Sequence, residues 1–192
     1  MKYEMIGICG KAGSGKDTIM RKVVSNNPSL HEIVSCTTRP MREGEAEGIN
    51  YFFLTGEQFG DKVVNGEMLE ATCFNDWFYG TAYDSLRKDC VNIGVFNPEG
   101  IDSVIAHKDI ELVVFLIEAD DKIRLLRQLN REEHPDVHEI IRRFKADELD
   151  FEDLDFHHNV LINNSESDLD YCVKVVEAAA RTLQARLEQS NK

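Results

Sequence analysis

Basic residues are scarce in this chain: 22 Lys and Arg stand against 35 Asp and Glu, a formal net charge of −13 over 192 residues. That balance argues against a nucleic-acid or anionic-membrane partner, since both reward clustered Lys and Arg. It leaves nucleotides open, because a few local arginines suffice to hold phosphates. Paired cysteines are missing too. Cys9, Cys36, Cys73, Cys90 and Cys172 are scattered without a C-x-x-C pair, and Cys9 and Cys172 sit in apolar runs as small buried hydrophobes. A reduced, cytoplasmic compartment is the expectation. No stretch approaches the roughly 18 apolar residues of a membrane span, and the opening "MKYEMIGICG" has no signal-peptide h-region. Repeats and low-complexity segments are also absent. With 42% hydrophobic and 30% charged residues, the chain suits one soluble α/β domain.

The pattern along the chain alternates strands with helices. Residues 5–9 are a short apolar run, and 18–24 read as helix. A brief strand is expected at 33–35, a polar loop at 36–48, a β-rich run at 50–54, and a short helix opened by a Thr55/Gln58 capping box. Strands are expected at 67–74 and 77–79, a helix at 83–90, a strand at 91–96 and a helix at 99–107. "IELVVFLIEA" is a continuous apolar run, as in a central parallel strand covered on both faces. Helices follow at 122–130 and 137–149, then a strand at 160–162. A closing helix at 168–187 carries Leu169, Val173, Val176, Ala180, Leu183 and Leu187 on one face. This order predicts a parallel sheet with right-handed crossovers.

The segment "MIGICGKAGSGKDTIM" carries the first chemical signal. Gly10, Gly15 and Lys16 fit G-x-x-x-x-G-K-[ST], within a strand–loop–helix context. Gly10, Gly13 and Gly15 let the backbone turn tightly and aim successive N–H groups at a polyphosphate, with Lys11, Ala12 and Ser14 between them. Lys16 supplies a point charge, and the following helix its positive dipole end. The bland alternative is an ordinary glycine-rich turn. Where the motif wants a hydroxyl stands Asp17, with Thr18 after it. A carboxylate is a good ligand for a hard cation such as Mg²⁺, but it repels a triphosphate when metal is absent. Asp17 is therefore expected either to bind the metal or only to cap the helix, leaving the metal to Thr18 or water.

A second constellation is "SCTTRPMREGEAEGINYFF". Arg39 and Arg42 share a loop, with Tyr51 shortly after. Guanidinium forks bind phosphate bidentately and a phenol adds a neutral donor. Alone this reads as a solvated polar turn; beside the glycine loop it points to a second phosphate site.

These motifs together with a later Glu and Tyr-Gly-Thr resemble the guanylate kinase family, from residue 5 to about 163. The resemblance implies phosphoryl transfer from ATP to GMP or dGMP with Mg²⁺. It also implies a P-loop NTPase-type sheet core flanked by helices, at 1–36, 82–126 and 144–192. A small β-rich monophosphate-binding insertion at about 37–81 and a helical lid at about 127–143 would complete a single domain. By position, Arg39, Arg42, Tyr51 and Tyr79 would hold the monophosphate, and Ser35, Glu70 and Thr81 would read the guanine edge. Arg131 and one of Arg142 or Arg143 would be lid arginines, and Asn163 would contact the adenine of ATP. The family occurs as monomers and as homodimers.

The chemistry fits these roles. One carboxylate, Glu70, can accept from both guanine N1–H and N2–H₂, a pair that adenine lacks. Phosphoryl transfer needs positioning and positive charge rather than covalent help, which gives Lys16, the metal and the lid arginines their purpose. Three features depart from the family. One is Asp17. Another is the strand "VNIGVFNPEG", where Val95 and Asn97 stand in place of two aspartates. The third is a shorter stretch between Tyr79 and Asn97. Asn97 can still accept from a guanine amine, but its NH₂ can also donate, which loosens base selectivity. Rival readings are a kinase of other or broader (deoxy)nucleoside monophosphate specificity, and a non-catalytic protein-binding domain of the same fold. His134 and His138 are spaced i,i+4, but Pro135 between them and a place in the lid favour a solvated loop over a metal site, and His157–His158 has no Cys or carboxylate pattern suggesting a ligand set. The run "DELDFEDLD" is expected to be a solvated helix end with Leu149, Phe151 and Leu154 packing inward.

Overall fold

The computed structural model describes residues 2–42, 44–74, 76–131 and 133–190. Among the described residues nine strands lie in two sheets. They are β1 (Tyr3–Cys9), β2 (His31–Glu32), β3 (Cys36–Thr37), β4 (Phe52–Phe53), β5 (Met68–Phe74), β6 (Trp77–Ala82), β7 (Asn92–Val95), β8 (Ile110–Glu118) and β9 (Asn159–Ile162). The helices are α1 (Lys16–Asn26), α2 (Gly56–Val64), α3 (Pro98–Ile105), α4 (Asp121–Leu129), α5 (Val137–Asp150) and α6 (Glu166–Ser190).

The larger sheet has the order β2-β7-β1-β8-β9 and is parallel throughout. Its central strands are apolar on both faces because each face is covered by helices. Alternate residues of β1 and β8 point to opposite sides. Ile6, Ile8, Phe115 and Ile117 pack with Ile19 and Val23 of α1 and with Cys172, Val176, Leu183 and Leu187 of α6. On the other side Met5, Cys9, Val114 and Leu116 pack with Ile101 and Val104 of α3. Each such side chain contributes about 1.5–3 kcal/mol by leaving water. The apolar stripe expected on the closing helix is the one that is buried.

The smaller sheet, β4-β3-β6-β5, is mixed: β3 runs parallel to β4, and β6 lies antiparallel to both β3 and β5. Between Met68 and Glu70 the β5–β6 register shifts by a bulge. That irregularity sends Leu69 into the core and sets Glu70 opposite Thr81; bulges commonly re-aim side chains in this way.

Several expected boundaries change. The strand expected at 33–35 lies at His31–Glu32, where His31 and Ile33 donate to Val91 and Ile93. Within the polar loop expected at 36–48, Cys36–Thr37 forms a strand held by β6. The helix expected at 83–90 shrinks to a 3₁₀ turn, Tyr83–Ser85. Its remainder is pinned by the buried Asn92, whose amide accepts from Arg87 N and donates to Arg87 O. Leu149 faces solvent, while Phe151 and Leu154 pack inward. The inward stripe of α5 runs through Ile140, Phe144 and Asp147 to Phe151, and Leu149 lies on the opposite side.

Candidate active site

Parallel α/β sheets bind ligands beyond the carboxyl ends of their strands. Here β1 ends at Cys9 and opens into the glycine loop, which feeds α1. Ser14 N donates to Lys11 O at 3.1 Å, closing a tight turn. Gly13 and Gly15 adopt left-handed backbone angles, φ 81° and 93°. A Cβ on Gly13 would come within 2.6 Å of Arg124 O, and one on Gly15 would overlap the Asn163 amide. Gly15 is also the N-cap of α1 and provides no side-chain cap. The first-turn N–H groups therefore lack an intrahelical acceptor, an arrangement suited to an anion. Ser14 Oγ and Asn163 Oδ1 are buried without a hydrogen-bond partner, and Asn163 Nδ2 donates to Ser14 O at 2.7 Å. Lys16 Nζ lies 3.7 Å from the exposed Asp17 carboxylate.

Helices α4 and α5 brace the loop from one side. Arg127 donates to the carbonyls of Gly13 (3.3 Å) and Ser14 (3.1 Å). The buried Arg124 donates through Nε to Ala12 O at 3.0 Å and pairs with Asp121 and Asp147. Burial raises the Asp147 carboxyl above its ordinary value, while the Ala12 N–H and Arg124 pull it down. Glu139 gathers Arg142 (2.6 and 2.9 Å) and Arg143 (2.8 Å). The Arg142 bonds foremost hold the Glu139 carboxyl down at about 2.

Across the cleft, Arg39 is buried and forks onto Glu45, Nη1 to Oε2 at 3.0 Å and Nη2 to Oε1 at 2.8 Å. Its guanidinium sits 5.5 Å from the Tyr51 ring and 5.8 Å from Phe53. Tyr51 and Tyr79 meet edge to face at 6.0 Å. Glu45 also accepts from Arg42 N at 2.8 Å, and the hydrogen bond from Arg39 foremost lowers its carboxyl. Burial lifts Tyr51's phenol. Glu70 lies beside Thr81, whose hydroxyl and N–H donate to it; even so, burial pushes its carboxyl up to about 7. Ser35 Oγ is 3.4 Å from Thr81 Oγ1. Asn97 Oδ1 is engaged as the α3 N-cap, accepting from Gly100 N at 2.8 Å. Its NH₂ can donate, and the second lone pair of Oδ1 can still accept.

Many of these groups line one cleft of about 1150 Å³. It brings together Gly10, Ala12, Gly13, Gly15, Lys16, Asp17, Thr18, Ser35, Arg39, Arg42, Tyr51, Glu70, Tyr79, Asn97, Arg131, Arg143 and Asn163. Lys11, Ser14, Thr81 and Arg142 do not line it, which separates Arg143 from its neighbour in the sequence. Arg127, Gln128, Glu139 and Asp147 do line it and escaped sequence reading. The i, i+3 spacing of Arg124 and Arg127 on an amphipathic helix was the available signal.

The family model for guanylate kinase matches residues 2–183. The chain belongs to the guanylate kinase family. Among relatives of the family, it is 46% identical over 77 residues to a guanylate kinase of Chlorobium luteolum, covering 40% of this chain and 39% of that protein. It is 40% identical over 90 residues to one of Clostridioides difficile, covering 47% and 43%. The matched stretches thus span about two fifths of those relatives' length. The fold resembles the crystal structure of guanylate kinase from Anaplasma phagocytophilum, with a TM-score of 0.68 at 21% identity over 95% of this chain and 87% of that one. No helix among the described residues is long and apolar enough to cross a membrane.

Proposed function

We propose that the cleft transfers the γ-phosphoryl group of ATP to GMP or dGMP, giving ADP and the nucleoside diphosphate. The observation that carries this reading is the confluence, in one cleft, of an uncapped glycine-loop helix with Lys16 and a second cationic pocket formed by Arg39, Arg42, Tyr51 and Tyr79. An oxygen of the monophosphate attacks the γ-phosphorus while the bond from that phosphorus to the β–γ bridging oxygen breaks. The work is positioning and charge stabilisation. Lys16 and the loop amides hold the donor phosphates; Arg131, just beyond α4, and Arg143 of α5 line the cleft and would offset charge on the transferring group. The segment at about 37–81 serves as the monophosphate-binding insertion, and 127–143 as the lid whose closure excludes water.

Glu70 selects the base. As a carboxylate it accepts from guanine N1–H and N2–H₂, and adenine would leave it buried with only its Thr81 hydrogen bonds. Asn97 caps α3 through Oδ1, whose second lone pair can still accept from a guanine amine, while its NH₂ can also donate. That favours a broader guanine-type tolerance as the second reading.

For Mg²⁺, the Asp17 carboxylate lies in the cleft beside Lys16 and suits a hard cation. Among the described residues there is no group of three or more His, Cys, Asp or Glu able to hold a metal. Asp17 would then be a protein ligand, with phosphate and water oxygens completing the shell, in keeping with magnesium's habit at nucleotide sites. When bound, the ion offsets the charge on the phosphate oxygens. A coupled assay with GMP, dGMP, AMP and dTMP, with and without Mg²⁺, tests this function. Turnover confined to the guanine nucleotides is expected, and equal turnover on AMP would overturn it.

A further inference from the structure

The contact between α5 and the glycine loop has no role in the chemistry above, yet it is built with care. Asp147 Oδ2 accepts from Ala12 N at 2.8 Å and from Arg124 Nη2. Arg124 Nε in turn donates to Ala12 O at 3.0 Å. Carboxylate, guanidinium and one loop residue therefore close a ring in which both polar groups of Ala12 are held. Arg124 is fixed further by Asp121 at 2.6 Å and by the Phe144 ring, 4.4 Å from its guanidinium. The α4 backbone at Arg124 lies so close to Gly13 that no Cβ fits between them.

A buried ion pair is a costly way to hold two helices together. An apolar pair of similar volume is often as stable or more so, so stability alone gives a weak reason for the charges. Geometry gives a stronger one. Arg127 lies one turn from Arg124 on α4, and Arg143 lies one turn from Asp147 on α5. Side chains at these spacings share a helix face. Fixing Arg124 and Asp147 to the loop therefore fixes the rotation of both helices, and with it the aim of Arg127 and Arg143.

We propose that the Asp147–Arg124 pair is a positioning clasp, binding the glycine loop at Ala12 to α4 and α5 so that Arg127 and Arg143 stand in register with phosphates held by the loop. The clasp rests on the phosphotransfer reading of the cleft.

The test uses the full chain with Asp147→Asn and Arg124→Lys. Each variant is assayed for kcat and for the KM of ATP and GMP, alone and with Arg143→Ala, alongside its thermal unfolding. A clasp that aims arginines predicts a ~10- to 100-fold fall in kcat, since small misplacements cost that much. The KM for GMP should stay within about twofold, because that pocket lies across the cleft. In the Arg143→Ala background Asp147→Asn should lower kcat less than about threefold further, because the two residues act as a unit. Asp147→Glu should recover part of the loss. Wild-type kcat in both variants, or losses that multiply fully with Arg143→Ala, would overturn the clasp. Amide hydrogen exchange at Ala12 supplies a readout independent of catalysis. It should be at least about tenfold faster in Asp147→Asn than in the wild type under conditions where both are folded, and equal exchange refutes the clasp. If wild-type protein fails to phosphorylate GMP while the exchange result holds, the kinase reading falls and the contact itself stands.

Discussion

Replacing Glu70 by Gln should make the unliganded protein more stable at pH 8 while crippling its use of GMP. Burial raises this carboxyl from an ordinary 4.5 to about 7, against the two hydrogen bonds from Thr81. Such a rise corresponds to about 3 kcal/mol of disfavoured ionisation in the folded state. The sign follows from linkage. An acid whose folded value lies above its unfolded one binds more protons when folded, so stability falls as pH climbs from about 4.5 to about 7 and the full penalty applies above that. Glutamine removes the charge and keeps an acceptor for Thr81. The gain at pH 8 is therefore up to about 3 kcal/mol, and for a chain of this size each kcal/mol moves Tm by roughly 2–4 °C. Function moves the other way. If Glu70 reads guanine as proposed, losing the charged acceptor should cost about 1.5–3 kcal/mol, or roughly 10- to 150-fold in kcat/KM for GMP. The same ionisation should raise the wild-type KM for GMP about tenfold between pH 8 and pH 6. Thermal melts from pH 5 to 8 and matched KM profiles check both halves, with Glu70→Gln lacking the inflection near 7. A variant less stable than wild type at pH 8, or a wild-type profile as flat as the variant's, would refute the reasoning.

Other expectations follow from single contacts. Asp17→Ser should bind ATP more readily without metal and depend less on Mg²⁺; unchanged magnesium dependence and turnover, measured by titration calorimetry and kinetics, rule out a metal role for Asp17. Arg39→Ala removes a buried guanidinium and strands Glu45. The KM for GMP should rise about 30-fold or more, as for a lost charge-assisted contact of about 2 kcal/mol, while the KM for ATP holds steady. Gly15→Ala places a side chain at φ 93° against Asn163. It should cost at least about 1–2 kcal/mol of stability from backbone strain alone, and ATP-induced stabilisation in a thermal shift assay should disappear.

Much of this architecture can be read from residue order because its signals are local. The apolar 5–9 run, the glycines after it and the α6 stripe each point to their own element through period and turn chemistry. The Thr55/Gln58 box caps α2 as its spacing implies. Elements held by distant partners are not legible. The 83–90 stretch has helical composition, yet the buried amide of Asn92 ties it down as a turn and loop. His31–Glu32 is a strand because β7 is beside it, and its own residues give little sign of that. In the site, charged residues in motif spacing were visible, among them Lys16, Arg39, Arg42 and Glu70. Glu45 fell within the quoted motif, but its grip on Arg39 depends on how the loop closes. The pairing of Arg124 with Asp147 was invisible for a physical reason, even though the spacing of Arg124 and Arg127 was a signal: the two meet across 23 positions at a loop that neither adjoins in sequence. An arginine on a polar-looking helix gives no hint that it will be buried.

Donor and acceptor phosphates are proposed to share one continuous cleft, and a bisubstrate ligand measures this directly. Titration calorimetry with guanosine and adenosine joined through five phosphates should give one molecule per chain. It should bind at least about 100-fold tighter than GMP or ATP alone, because the second half binds intramolecularly, and both ATP and GMP should displace it. Two molecules per chain, or displacement by only one of the nucleotides, would mean that the glycine loop and the arginine pocket do not serve a common reaction.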